Sequence, residues 1–246
     1  MIKKHVKTAV ILASGLGTRL RPLTYSLPKP LVEVNGKPLI EYTLDRISLT
    51  KISDVIITVR YFPEKFYDRY KNNYKHLKVK FIELPENNLL GTGGDLKKTE
   101  NFIHENEDIL VCNADIVTNL DFSKLLNFHK NGTQVATLAL VNKNEDAYAK
   151  SIGIDDNFNI TEAARNKYGN TKTKLVFASQ HIINKAHLKL IPENVFWGLF
   201  GDDDLYTTLL TNKEDVKAFI YPQNTLWEDV GTSERLERIK KILEVT

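Results

Sequence analysis

Short runs rich in valine and isoleucine alternate with helix-like patterns through the first half of this 246-residue chain. Continuous apolar runs of this kind are typical of parallel strands that are buried on both faces. The predicted strands cover residues 7–13, 53–59, 78–83, 107–112 and 134–141. The predicted helices cover residues 38–49, 63–74, 94–104 and 121–130. This alternation predicts an α/β fold with a Rossmann-like, mostly parallel sheet sandwiched by helices.

The second half of the chain has a less regular pattern. It predicts strands at residues 151–154, 159–162 and 175–183, a polar turn at 167–173, and helices at 202–211 and 232–245. No Pro/Ser-rich linker, internal repeat or low-complexity segment divides the sequence. We therefore expect a single domain over residues 1–246 with a substrate-specific excursion at about 131–225.

Composition excludes several classes of protein. A hydrophobic fraction of 42% and a net charge of +3 are ordinary for a globular protein and leave no charged arm for nucleic acid. The one cysteine, Cys112, rules out a disulfide framework, and no histidine pair has zinc-ligand spacing. The apolar run at 8–13 is too short for a signal peptide, and no run approaches the length of a membrane helix. We expect a cytoplasmic protein without nucleic-acid or membrane partners.

A glycine-rich loop follows the first predicted strand, at the sheet edge where α/β proteins bind ligands. It runs through Ala13, Ser14, Gly15, Leu16, Gly17, Thr18 and Arg19 and closes at Lys29. Small residues let backbone N–H groups approach a phosphate, and the two cations supply positive charge. A dinucleotide fingerprint would have glycine where Leu20 stands, and the Gly-Lys-Ser/Thr of a Walker loop is absent. The remaining alternative is a plain strand-to-helix turn with solvated charges.

These residues carry a specific resemblance. The motifs at 15–20, 22–24 and 28–31, followed by 34–40, 90–94, 113–115 and 227–232, resemble those of the sugar-phosphate nucleotidyltransferases. The chain resembles the short form of that family, typified by N-acetylmuramate-1-phosphate uridylyltransferase and heptose-1-phosphate guanylyltransferase. The resemblance implies a nucleotide-binding half at about residues 1–130 and makes the excursion at 131–225 the sugar-binding part.

Two aspartates are candidate Mg²⁺ ligands. Asp115 ends the fourth predicted strand, and Mg²⁺ prefers one or two carboxylates together with phosphate and water oxygens. Asp229, which precedes the last helix, reads from spacing alone as a turn or capping residue. The resemblance instead implies that Asp229 is a second metal ligand.

The resemblance also implies contacts with the two substrates. Gly93 would lie against the nucleobase edge, and Asn113 would hold a ribose or phosphate oxygen. Gly153 would let the sugar approach, and Glu162 would bind a sugar hydroxyl. The family lysine after that glutamate is absent, so either Arg165 replaces it or Lys29 alone holds the sugar phosphate.

The implied reaction joins a nucleoside triphosphate to a sugar 1-phosphate, with Mg²⁺ held by Asp115 and Asp229 and charge supplied by Arg19 and Lys29. The tail at 227–236 favours uridylyl transfer to an N-acetylmuramate-1-phosphate-like acceptor; guanylyl or cytidylyl transfer to another sugar 1-phosphate or phospho-alcohol is the alternative.

Two other classes of protein are weighed against this reaction. A glycosyltransferase would require Asp where Asn113 stands. A non-catalytic nucleotide-sensing subunit would not need the intact charged set. The protein would be a monomer or a homodimer.

Overall fold

The computed structural model of the chain describes residues 4–143, 151–163 and 166–245. The strands are β1 Thr8–Leu12, β2 Glu33–Val34, β3 Lys37–Pro38, β4 Asp54–Val59, β5 Asn73–Tyr74, β6 Leu77–Glu83, β7 Asp108–Asn113, β8 Ile116–Thr118, β9 Ala136–Val141, β10 Ser151–Ile154, β11 Ile160–Ala163, β12 Asn166–Lys167, β13 Thr173–Asn184, β14 Val216–Ile220 and β15 Trp227–Asp229. The helices are α1 Leu39–Ser48, α2 Pro63–Tyr70, α3 Gly91–Lys97, α4 Phe122–Asn131, α5 Leu205–Thr211 and α6 Ser233–Glu244.

The centre of the main sheet is parallel. β1 lies between β4 and β7 and is parallel to both, and β6 extends the parallel set beyond β4. The register pairs Leu12 with Thr58 on one side and with Asn113 on the other. The carboxyl ends of β1, β4 and β7 therefore meet at one edge of the sheet, which is where ligands bind in such folds.

Successive residues of β1 face opposite sides of this sheet. Ala9 and Ile11 belong to the core cluster that α1, α2 and α4 cover, whereas Val10 belongs to the cluster that α3 and α5 cover. All three side chains are fully buried. Apolar residues on both faces thus explain the helix-covered sheet, and the expected α/β fold with a mostly parallel central sheet is confirmed.

The second half adds antiparallel pairing to the sheet. The long strand β13 runs antiparallel to β7, β9 and β10, and β10, β11 and β12 continue outward in antiparallel order. β14, which the sequence pattern did not predict, pairs in parallel with β9.

Three helices differ from their predicted bounds by three or more residues. α5 begins at Leu205 instead of at residue 202. α2 ends at Tyr70 because Lys71 adopts a positive φ of 49°, and the chain then pairs Asn73 and Tyr74 with β6. α3 begins at Gly91 and ends at Lys97, and a separate 3-10 turn follows at Glu100–Phe102.

A smaller cluster brings the C-terminal helix to the ligand-binding edge. Leu236 and Ile239 of α6 pack with Leu20, Val117 and Val230, all of them buried. Val117 and Val230 belong to or flank β8 and β15, which form a separate two-stranded antiparallel sheet. In the described part of the chain, no helix combines the length and the hydrophobicity that crossing a bilayer requires.

Candidate active site

A cleft of about 360 Å³ opens where β1 and β7 end. Its lining includes Ala13, Ser14, Gly15 and Leu16 from the loop after β1. The other lining residues are Leu12, Lys29, Pro30, Arg60, Leu89, Gly91, Thr92, Asp95, Asn113, Ala114, Asp115 and Phe196. Residues 13–16 and Lys29 of the predicted phosphate loop therefore share one cavity with Asn113 and Asp115.

Gly17 shapes the loop from behind this lining. Its φ of +63° lies in the left-handed region, and an added Cβ would lie 2.8 Å from the Cβ of Lys29. Any side chain here would be strained and would push against Lys29. Thr24 Oγ1 donates to the Gly17 carbonyl at 2.9 Å and holds the turn closed. Thr18 and Arg19 follow in a short 3-10 turn outside the lining residues.

Lys29 and Asp115 form an ion pair between the ammonium Nζ and the carboxylate Oδ2. Lys29 is only 8% exposed, which places its charge in a poorly solvated position. The 3-10 turn Lys29–Leu31 carries the lysine toward the end of β7. A fixed, desolvated cation of this kind can neutralise phosphate charge without reorganising.

The β8–β15 pair brings Asp229 to Asp115. Asp229 pairs with Ile116 in the antiparallel register, and the Val230 N–H donates to the Asp115 carbonyl at 2.9 Å. One buried oxygen of each carboxylate, Oδ1 in both cases, has no hydrogen-bond partner in the part of the chain that the structure describes. Burial, and then the charge of Asp115, raises the pKa of Asp229 to about 6.

Asp229 is not the cap of the last helix. Thr232 holds that position, and its Oγ1 accepts from the Arg235 N–H at 3.4 Å. The helix-capping role that spacing alone allowed for Asp229 is therefore excluded.

Lys29, and then two arginines, act against burial and Asp115 by lowering the pKa of Asp229. Arg235 Nη1 lies 3.7 Å from Asp229 Oδ2 and donates to the Asp229 carbonyl at 3.2 Å. Arg19 approaches the same place, since a Cβ on Gly231 would lie 3.2 Å from Arg19 Nη2 and 3.3 Å from Asp229 Oδ1. Sequence reasoning missed Arg235, although its position three residues after the N-cap of α6 points the side chain back toward Asp229.

A second buried ion pair supports the cleft. Arg60 follows β4, and its Nη2 lies 2.7 Å from Asp95 Oδ1. Ser14 Oγ donates to the other carboxylate oxygen of Asp95, and Arg60 Nη1 donates to the Pro85 and Asn88 carbonyls. The pair thus ties the loop after β1 to the segment before α3. Sequence reasoning missed both residues, although Arg60 directly follows a strand end at the ligand-binding edge.

Gly93 has a packing role. Its N–H donates to the Trp197 carbonyl at 2.8 Å, and an added Cβ would lie 2.4 Å from the Gly198 carbonyl oxygen. Gly91 and Thr92 line the cleft instead. The predicted contact of Gly93 with a nucleobase stays a prediction.

Gly153 and Glu162 face each other in the β10–β11 register, outside the residues that line the cleft. A Cβ at Gly153 would lie 2.7 Å from the Cβ of Glu162, so close strand packing already requires glycine here. Glu162 Oε1 accepts from Lys174 Nζ at 2.6 Å. Their sugar contacts stay predictions, and Arg165 lies outside the described residues.

Comparison with known proteins finds relatives among the nucleotidyltransferases. The family model described as nucleotidyl transferase matches residues 8–245. A mannose-1-phosphate guanylyltransferase of Mycobacterium tuberculosis is 28% identical over 95% of this chain and 64% of its own length. A mannose-1-phosphate guanyltransferase of Debaryomyces hansenii is 29% identical over 90% of this chain and 60% of its own length. The chain thus spans under two thirds of the length of these relatives.

Solved structures give the same picture of the fold. HddC from Yersinia pseudotuberculosis complexed with GMP-PN superimposes with a TM-score of 0.76 at 25% identity, covering 96% of this chain and 99% of that one. The inositol-1-phosphate CTP transferase of T. maritima shares the fold, with a TM-score of 0.77 at 16% identity over 99% and 97% of the two chains. With a family match over nearly its whole length, this chain belongs to the nucleotidyl transferase family.

Proposed function

We propose that this chain transfers a nucleotidyl group from a nucleoside triphosphate to a sugar 1-phosphate and releases pyrophosphate. The observation that carries the proposal is the meeting of Lys29, Asp115 and Asp229 at the cleft that the glycine-rich loop lines. This arrangement combines a buried cation with two acidic groups beside a backbone loop suited to phosphate. It supports chemistry between two phosphates more than any chemistry that needs a nucleophilic side chain.

The two aspartates fit a divalent cation, which we take to be Mg²⁺. Asp115 Oδ1 and Asp229 Oδ1 are buried acceptors without hydrogen-bond partners in the described residues. Within those residues no three His, Cys, Asp or Glu side chains gather into a metal site. Two carboxylates completed by phosphate and water oxygens are what Mg²⁺ favours. Bound there, Mg²⁺ would neutralise negative charge on the substrate phosphates.

In the proposed reaction an oxygen of the sugar 1-phosphate attacks the α-phosphorus of the nucleotide. The bond between the α- and β-phosphates breaks, and its electron pair leaves with pyrophosphate. The attacking phosphate is already ionised at neutral pH, so no general base is required. Lys29 orients and neutralises the reacting phosphates, and Arg19, across the loop, neutralises the departing pyrophosphate.

We further propose that the nucleotide is GTP. The curated relatives named above are guanylyltransferases, and the similar Yersinia structure holds GMP-PN. These findings favour the guanylyl alternative over the uridylyl transfer to an N-acetylmuramate-1-phosphate-like acceptor that the tail motif predicts. Mannose 1-phosphate, the acceptor in the relatives' names, is the first acceptor to test.

The experiment is a matrix of GTP, UTP, CTP and ATP against mannose 1-phosphate and other sugar 1-phosphates, read as pyrophosphate release. Release should require nucleotide, acceptor and Mg²⁺ together and should be fastest with GTP. Nucleotide hydrolysis at the same rate without an acceptor would contradict the proposal. Binding without any release would indicate a nucleotide-sensing protein, and turnover only with a ready-made nucleotide-sugar would indicate a glycosyltransferase.

A further inference from the structure

Phe196 is an aromatic side chain at the mouth of the cleft that neither the proposed chemistry nor the packing of the core uses. It is 70% exposed and lines the same cavity as the glycine-rich loop. Leu89 and Leu16, which also line the cavity, are 54% and 41% exposed. Large apolar side chains left exposed together around a cleft indicate a ligand surface.

The backbone around Phe196 is firmly held. The Trp197 N–H donates to the Leu90 carbonyl at 2.8 Å, and the Trp197 carbonyl accepts from Gly93 and Gly94 at 2.8 and 3.1 Å. Lys98 Nζ adds hydrogen bonds to the side chains of Asn194 and Glu193 at 2.8 and 3.0 Å. The segment before α5 is thereby fastened to the start of α3, so the position of Phe196 is fixed by the fold.

The ring of Phe196 lies against Gly91. An added Cβ at Gly91 would be 3.1 Å from Phe196 Cε2 and 2.6 Å from the Trp197 carbonyl oxygen, and Gly91 also has a φ of +72°. Because residue 91 is glycine, the Phe196 ring can lie beside the cleft without a steric clash.

The lining groups divide into two sets that match the parts of a nucleotide. Lys29 and Asp115 are paired charges near the end of β7, and the lining charges nearer α3, Arg60 and Asp95, neutralise each other in a buried pair. The other lining groups by the start of α3 are uncharged: Leu89, Gly91 and Thr92, with the Phe196 ring against Gly91. Phosphates suit the first set. A flat aromatic base, which every nucleotide presents, suits an exposed ring.

We propose that Phe196 binds the nucleobase by stacking on it. This inference rests on the proposed function, because it takes a nucleoside triphosphate as the ligand of the cleft. Stacking tolerates any base, so Phe196 contributes affinity for the nucleotide and leaves the choice among bases to other groups.

The experiment measures dissociation constants by calorimetry for Mg²⁺–GTP and for Mg²⁺–ribose 5-triphosphate, which has the ribose and phosphates without the base. Phe196→Ala should weaken GTP binding about tenfold and leave ribose 5-triphosphate within twofold. Phe196→Trp should keep the affinity for GTP. In turnover, Phe196→Ala should raise the KM for GTP about tenfold with kcat little changed.

Phe102→Ala is the matched control. Phe102 is 45% exposed, lies outside the cleft lining and has the Lys80 ammonium 4.0 Å from its ring centre. This variant should bind both ligands as the wild type does.

Two results would overturn the stacking. Unchanged GTP affinity in Phe196→Ala would show that the ring does not touch the base, and equal weakening of both ligands would show that it only closes or supports the cleft. If Phe196→Ala selectively loses GTP affinity while the wild type transfers no nucleotidyl group, the proposed reaction falls and the stacking stands.

Discussion

The raised pKa of Asp229 makes a testable statement about the stability of the metal-free protein. Burial and the neighbouring Asp115 shift this pKa from 3.8 to about 6. Folded Asp229 thus holds its proton more tightly than the unfolded chain does. The wild type therefore loses stability as pH rises through this window, and the full loss is present above about pH 6.

Asp229→Asn removes the ionisable group and keeps its shape. A shift from 3.8 to about 6 corresponds to about 3 kcal/mol. Because the side chain is 29% exposed, solvent screening lowers the expected effect to about 1–2 kcal/mol. In chelator at pH 8 the variant should exceed the wild type in the free energy of unfolding by that amount, and the difference should shrink as the pH falls and vanish below about pH 3.

The assay is denaturant unfolding of both proteins across this pH range, with Asp202→Asn as a control at an exposed position outside the cleft lining. Adding Mg²⁺ and GTP should stabilise the wild type more than Asp229→Asn, since a ligand stabilises the folded state in proportion to how tightly it binds there. A variant that is less stable than the wild type at pH 8, or a pH-independent difference, would refute the electrostatic reasoning.

Three further sets of substitutions test the residues that form and support the site. Lys29→Ala should lower kcat about a hundredfold or more in a folded protein, because a preorganised charge is lost; near-normal turnover would remove Lys29 from the chemistry. Gly17→Ala and its control Gly36→Ala both place alanine at a positive φ, but only Gly17→Ala adds a Cβ close to Lys29. Gly17→Ala alone should lower kcat, by about tenfold or more, and equal losses in both variants would point to backbone strain instead of contact with Lys29. Arg60→Ala and Asp95→Ala should each lower the free energy of unfolding by about 3–5 kcal/mol, and the double variant should lose much less than the sum of the two single losses. Additive losses in unfolding measurements would show that the two residues are not coupled.

The parallel half of the fold could be predicted from the sequence because its signal is local. Strands β1, β4 and β7 are buried on both faces, so each is a short apolar run that can be recognised without its partners. The charged loop from Gly15 to Lys29 can also be recognised from the sequence, since it combines glycines with two cations and directly follows β1 in the chain.

The contacts that complete the site are not local, and sequence reasoning could not provide them. β8 and β15 have three residues each, and only their mutual pairing brings Asp229 beside Asp115. The Arg60–Asp95 pair joins the end of β4 to α3, which are far apart in the chain. Phe196 reaches the cleft only through the backbone contacts of Trp197 with Leu90, Gly93 and Gly94.

The most direct test of the proposed reaction follows the phosphorus atoms of GTP. With mannose 1-phosphate and Mg²⁺, label in the α-phosphate should appear in a GDP-sugar, and label in the γ-phosphate should appear in pyrophosphate. Asp115→Asn and Asp229→Asn should abolish both transfers while the proteins stay folded. Label from the α-phosphate in free GMP, or from the γ-phosphate on the sugar, would contradict nucleotidyl transfer at this site.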